Sequence, residues 1–122
     1  MSEKDALLLS ALSLAYVGDA VHSLFVRQNL AAHSQAKPDA LHQLASAQVK
    51  ASAQAAFAEN LESYLTDTEK SVYLRGRNAK THHKAKNQSS ADYRKATGLE
   101  AVLGFLYLTG QHERLVELLT IQ

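Results

Sequence analysis

Apolar residues recur at helical spacing along most of the chain. Leu14, Val17, Val21, Leu24 and Phe25 fall three and four apart in a stretch from about Leu7 to Leu30. Ala31 to Lys37 reads as a loop. Pro38 then suits the first turn of a helix, with Asp39 favourable beside its positive end. Leu41, Leu44, Val49 and Phe57 carry the pattern through an alanine-rich region to about Asn60, with a break predicted between Ala45 and Ala51. Thr66-Asp67-Thr68-Glu69 has the spacing of a capping box and predicts a helix from about Asp67 to Arg75 or a little beyond. Ser89 or Ser90 caps a further helix over about Ala91 to Leu108, which Thr109-Gly110 ends. Glu113 to Thr120 forms a short last helix with Leu115, Leu118 and Leu119 facing inward. No segment makes a convincing strand. The pattern predicts an all-α helical bundle in one domain over residues 1–122.

Arg77 to Ser89 departs from this pattern, having no apolar residue other than Ala79 and Ala85, and reads as a basic loop over about 77–89. Charge sharpens the point. From Lys70 to Lys95 eight lysines and arginines stand against Asp92, so the remainder is net acidic although the whole chain carries +1. A basic band on an otherwise acidic protein points to a polyanionic partner met on one side. Arg75 and Arg77 suit bidentate phosphate contacts, Gly76 allows a tight backbone turn between them, and Asn78 adds amide donors. Lys80, His82, His83, Lys84 and Lys86 have the composition to track a phosphate backbone; the competing reading is a solvated loop. Aromatic residues are too scattered for a single-strand stacking platform, so duplex backbone contact fits better.

The chain has no cysteine, which excludes disulfides, thiol nucleophiles and cysteine metal sites. No apolar run reaches transmembrane length, and Met1-Ser2-Glu3-Lys4-Asp5 is unlike a signal peptide, so a cytoplasmic protein without a membrane partner is expected. There is no phosphate-binding glycine loop, and no Ser-His-Asp relation follows from spacing.

The candidate chemistry lies in two acids isolated within apolar helical runs. Asp19 lies in Leu14-Ala15-Tyr16-Val17-Gly18-Asp19-Ala20-Val21, and Glu100 in Gly98-Leu99-Glu100-Ala101-Val102-Leu103-Gly104. A carboxylate among buried residues is costly unless it is paired, hydrogen-bonded or metal-bound. Ala15 and Ser23 stand four residues from Asp19, and Ala96 and Gly104 four from Glu100, so short side chains flank each acid along its face. Those flanks leave space for a hydrated cation and a substrate; close helix packing would use the same residues. Two carboxylates from different helices could converge on Mg²⁺, which takes oxygen ligands and keeps several waters. His22, one turn after Asp19, is either a partner of the acid site or a partly buried structural histidine. Tyr16 is read as packing with its hydroxyl at the rim, and Tyr93, Phe105 and Tyr107 as core or interface residues.

These residues resemble a known family. The helix around Asp19 looks like the signature helix of ribonuclease III, and Thr97-Gly98-Leu99-Glu100-Ala101-Val102-Leu103-Gly104 looks like its second acidic helix. Arg75-Gly76-Arg77-Asn78-Ala79-Lys80, followed by Lys86-Asn87 and Tyr93-Arg94, resembles the Mini-ribonuclease III family of bacteria and plastids. The resemblance implies an all-helical ribonuclease III catalytic domain acting as a homodimer in the bacterial cytoplasm or plastid stroma. It implies Mg²⁺-dependent cleavage of double-stranded RNA to 5′-phosphate and 3′-hydroxyl ends, in maturation of the large-subunit (23S) ribosomal RNA precursor. It also leaves room for a ribosomal protein partner. By match, Asp19 and Glu100 take the catalytic, metal-ligating roles. Arg75, Arg77, Asn78, Lys80, Lys84 and Lys86 take RNA binding, the more so because the usual C-terminal double-stranded-RNA-binding domain of ribonuclease III is not expected here. Full-length ribonuclease III has further acids where this chain has Leu12, Ala15 and Thr97. The competing hypotheses are a non-catalytic ribonuclease III-like module that binds RNA or ribosome, and a small helical phosphohydrolase acting on nucleotides.

Removing the charges of Lys80, Lys84 and Lys86 together is expected to weaken duplex-RNA affinity and to flatten its fall with rising salt, because phosphate contacts release counterions. An unchanged salt slope in a binding titration would show that this segment makes no phosphate contact.

Overall fold

The computed structural model describes residues 1–80 and 90–121, and among these every regular element is helical. Seven α-helices succeed one another: α1 (Glu3–Leu7), α2 (Ala11–His33), α3 (Pro38–Val49), α4 (Ala51–Leu61), α5 (Asp67–Asn78), α6 (Ser90–Leu108) and α7 (His112–Leu119). A short 3₁₀ turn, Glu62–Tyr64, leads from α4 towards α5. The expected all-helical fold is borne out, as are Pro38 in the first turn of α3 and the break between Ala45 and Ala51. The capping box is complete, with Thr66 and Glu69 each bonding the other's backbone N–H. At the end of α6, Gly110 (φ 73°) takes the left-handed conformation, and the N–H groups of Gly110 and Gln111 return to the carbonyls of Tyr107 and Leu106.

Three expected boundaries change. The stretch from Leu7 is two helices, because the Ser10 hydroxyl accepts from the Ser13 N–H and starts α2 afresh after α1. Helix α2 runs on to His33, past the expected end at Leu30. Arg77 and Asn78 belong to the last turn of α5 rather than to a loop. Gly76 makes no turn. It is buried in α5, where a Cβ would lie 2.9 Å from both the Gly98 Cα and the Ala101 Cβ. Its role is close contact between α5 and α6.

Helix α6 is the axis of the bundle. From Ala96 to Leu106 every residue except Glu100 is buried, and α2, α4 and α5 pack around it. Leu14, Leu61, Val72, Leu99, Leu103, Phe105 and Leu118 are fully buried in the shared core. Each such side chain contributes roughly 1.5–3 kcal/mol over its exposed state. The far end is tied by Arg114 of α7, which grips both carboxylate oxygens of buried Glu69 (2.8 and 2.9 Å) and the Tyr64 carbonyl.

The tightest packing is between α2 and α6. A Cβ at Gly18 would overlap the backbone carbonyl of Glu100, and one at Gly104 would overlap that of Leu14. The two backbones therefore touch, and only hydrogen fits between them. Gly18→Ala and Gly104→Ala are each expected to lose about 3 kcal/mol or more of unfolding free energy, at the upper end for overpacked sites. Gly110→Ala has open space around it and should lose about 1–2 kcal/mol, from the left-handed backbone alone. Denaturant unfolding that ranked Gly110 above the other two would refute the crossing as the critical contact.

Candidate active site

The glycine crossing places Asp19 of α2 and Glu100 of α6 on facing walls of one open cleft of about 400 Å³. Both carboxyl groups line it. Ala15 and Ala96 line the same cleft, whereas Gly104 lies in the helix contact. The short flanks of the two acids thus divide between both readings of them, open space and close packing. Tyr93, Thr97 and Leu12 complete the wall on the α2–α6 side, while Lys50, Ala51 and Gln54 close it from the start of α4.

Glu100 is partly buried and Asp19 exposed. Burial pushes the Glu100 carboxyl up to about 8, helped by the hydrogen bond and negative charge of Asp19 and opposed by a hydrogen bond from Gln54. The donors of the site are hard carboxylate oxygens, which fit a divalent cation such as Mg²⁺. Among the described residues no group of three or more acid, histidine or cysteine side chains gathers, so two carboxylates are what these residues offer an ion.

His22 is buried, and its Nδ1 lies 2.9 Å from the Gln54 Nε2. Burial lowers its pKa, against the pull of Asp19, so the ring is neutral near pH 7. Gln54 is the site residue that sequence reasoning missed. The signal was present: Ala51, Ala55, Ala58 and Leu61 form the buried face of α4, and Gln54 is the polar residue on that face. Tyr93 was expected in the core or an interface and instead borders the cleft. Tyr16 is not packed in this chain; it is 82% exposed.

The RNA-binding candidates gather elsewhere. Arg75, Arg77, Asn78 and Lys80 stand at or just beyond the end of α5, outside the cleft lining. The Arg75 guanidinium donates to the carbonyls of Leu9 (2.8 Å) and Leu7 (3.4 Å), so it also ties α5 to the α1–α2 junction. Lys84 and Lys86 lie outside the described residues.

The Ribonuclease III domain model matches residues 12–111. The chain is 46% identical over 113 residues to Mini-ribonuclease 3 of Enterococcus faecalis, covering 91% of this chain and 86% of that protein. It is 42% identical over 118 residues to Mini-ribonuclease 3 of Streptococcus pneumoniae, covering 95% and 92%. The chain belongs to the Mini-ribonuclease III family. The Mini-ribonuclease III fold is seen again in an X-ray crystal structure of a Fusobacterium nucleatum protein, with a TM-score of 0.82 and 27% identity over 92% of this chain and 89% of that one. For a Mini-ribonuclease III chain one departure is now located. Leu12, Ala15 and Thr97, the positions read from the sequence as departures from full-length ribonuclease III, all line the Asp19–Glu100 cleft.

The raised Glu100 carboxyl makes stability depend on pH. Between the ordinary 4.5 and about 8 the folded state holds a proton that the unfolded chain releases. Stability of metal-free protein therefore falls as pH rises through that window. His22, whose pKa is lowered, acts in the opposite sense on the acid side. The difference in Tm between wild type and Glu100→Gln isolates the carboxyl: Glu100→Gln should gain on wild type as pH rises from 5 to 8 in chelator (roughly the window above). Parallel Tm curves would contradict the assignment.

Proposed function

We propose that this chain is an endoribonuclease that hydrolyses double-stranded RNA, with Asp19 and Glu100 as its catalytic, metal-ligating pair. The observation that carries the reading is the convergence of these two acids from α2 and α6 on one open cleft. Asp19 and Glu100 would hold Mg²⁺. When bound, that ion supplies Lewis-acid stabilisation of charge on the scissile phosphate and a water of lowered pKa. Water oxygen forms the new bond to phosphorus while the bond to the 3′ oxygen breaks. The 3′ oxygen leaves with a proton, giving 3′-hydroxyl and 5′-phosphate ends. Lys50 at the cleft edge is placed to meet a backbone phosphate.

Arg75, Arg77, Lys80, Lys84 and Lys86, with the amide of Asn78 among them, would hold the duplex. Proposed substrate and setting come from the family: the paired ends of the 23S ribosomal RNA precursor, in the cytoplasm, with room for a ribosomal protein partner. No helix among the described residues is long and apolar enough to cross a membrane. Residues 1–122 would act as a single catalytic domain, and two copies would pair. Support for the dimer is an exposed apolar surface on α2 and α6, where Tyr16, Val17, Ala20, Val21, Leu24 and Tyr107 border a shallow recess beside Asp19. Pairing through this face would cover large apolar side chains and hold two acid clefts in fixed relation.

Cleavage of a hairpin built from the paired precursor ends, with Mg²⁺, is expected to fall at least on the order of 10²-fold in Asp19→Asn and in Glu100→Gln, with duplex binding retained. Equal cleavage by wild type and both variants would remove the proposed site, and binding without cleavage by wild type in any divalent ion would favour the non-catalytic module. Sedimentation should show a dimer for wild type and a monomer for Tyr16→Asp with Leu24→Asp. A dimer that survives both changes does not use this face.

A further inference from the structure

Gln54 lies between the acid cleft and the protein interior. Its side chain is 3% exposed, as is that of His22, and the 2.9 Å contact joins Nε2 of the amide to Nδ1 of the ring. A neutral imidazole that accepts at Nδ1 carries its proton on Nε2. One amide N–H of Gln54 is thereby committed to His22. The other is free to face Glu100, which lines the same cleft. The ring of His22 is itself held from behind. Phe57 packs against it edge-on, with centroids 6.1 Å apart and planes at 73°, beside a second cavity of about 470 Å³ that Phe25 and Leu119 help to line.

We propose that Gln54 is a positioning residue for Glu100, oriented by His22, so that α4 as well as α6 sets where the second carboxylate of the cleft points. The inference rests on reading the acid pair as a cation site, and it adds a residue that the family match does not name. The chemistry is that of an outer hydrogen-bond partner. Its remaining N–H would fix one carboxylate oxygen and leave the other for the ion, and its orientation is settled by an acceptor that cannot turn. With two carboxylates and no third such ligand among the described residues, the site depends strongly on this partner, because each oxygen lost or turned away removes a large part of the donor set.

The alternative is that Gln54 and His22 only staple α4 to α2, a buried hydrogen bond that contributes stability and nothing to the site. Mn²⁺ titration by calorimetry on the full chain separates the two. Gln54→Met keeps length and volume but has no N–H donor. His22→Asn offers Oδ1 where Nδ1 stood and can still orient the amide, whereas His22→Leu cannot. Positioning predicts that Gln54→Met and His22→Leu weaken Mn²⁺ binding by about 10–100-fold, that His22→Asn stays within about threefold of wild type, and that metal-free duplex affinity is unmoved. The proposal is overturned by a folded Gln54→Met with wild-type Mn²⁺ affinity, or by equal losses in His22→Asn and His22→Leu. Should Gln54→Met fail to fold, the His22 pair decides alone. A wild-type chain that binds no Mn²⁺ sinks the cation site itself. Wild type and Gln54→Met that bind equally sink only the positioning role.

Discussion

The contact on which this structure depends is the crossing of α2 and α6 at Gly18 and Gly104. Helices usually pack through side chains, with axes 8–10 Å apart. Here a methyl group at either glycine would overlap the backbone of the other helix. That closeness decides where the acids lie. Asp19 comes directly after Gly18, and it is the Glu100 carbonyl that Gly18 touches, so the residue that permits the approach also sets the two acids across from each other. Core and site share one geometric cause. A change that opens the crossing would move the two acids apart.

The approach has an electrostatic consequence. Two carboxyl groups placed together at the edge of an apolar core both favour a proton or a cation. Burial and Asp19 act together on Glu100, with Gln54 opposing them. The metal-free site is thus poised between protonation and cation binding. Leu12, Ala15 and Thr97 stand in the same cleft without charge.

Helix positions were largely legible in the sequence because capping and periodicity are local. Pro38, the Thr66–Glu69 box and Gly110 each mark a boundary through a hydrogen bond or a dihedral angle within a few residues. The break at Ser10 was less visible, since apolar periodicity runs through it from Leu7. Asp19 and Glu100 stood out as acids in apolar runs. That they meet depends on how α2 crosses α6, a long-range fact that no local spacing encodes. Gly76 shows the same limit: it reads as a turn residue beside two arginines, yet its cause is α6 passing over it. Gln54 was hidden for a further reason. Its meaning depends on His22, thirty-two positions earlier, and on Glu100, and an amide in an alanine-rich helix carries no local mark of either.

The central claim is that the crossing makes Asp19 and Glu100 one cation site rather than two separate acids. A double-mutant cycle on Mn²⁺ affinity, using Asp19→Asn, Glu100→Gln and the double variant, measures that coupling directly. Shared ligation predicts strong non-additivity, with either single change removing nearly as much affinity as both together. Losses that simply add would contradict it, since independent acids would then account for the binding.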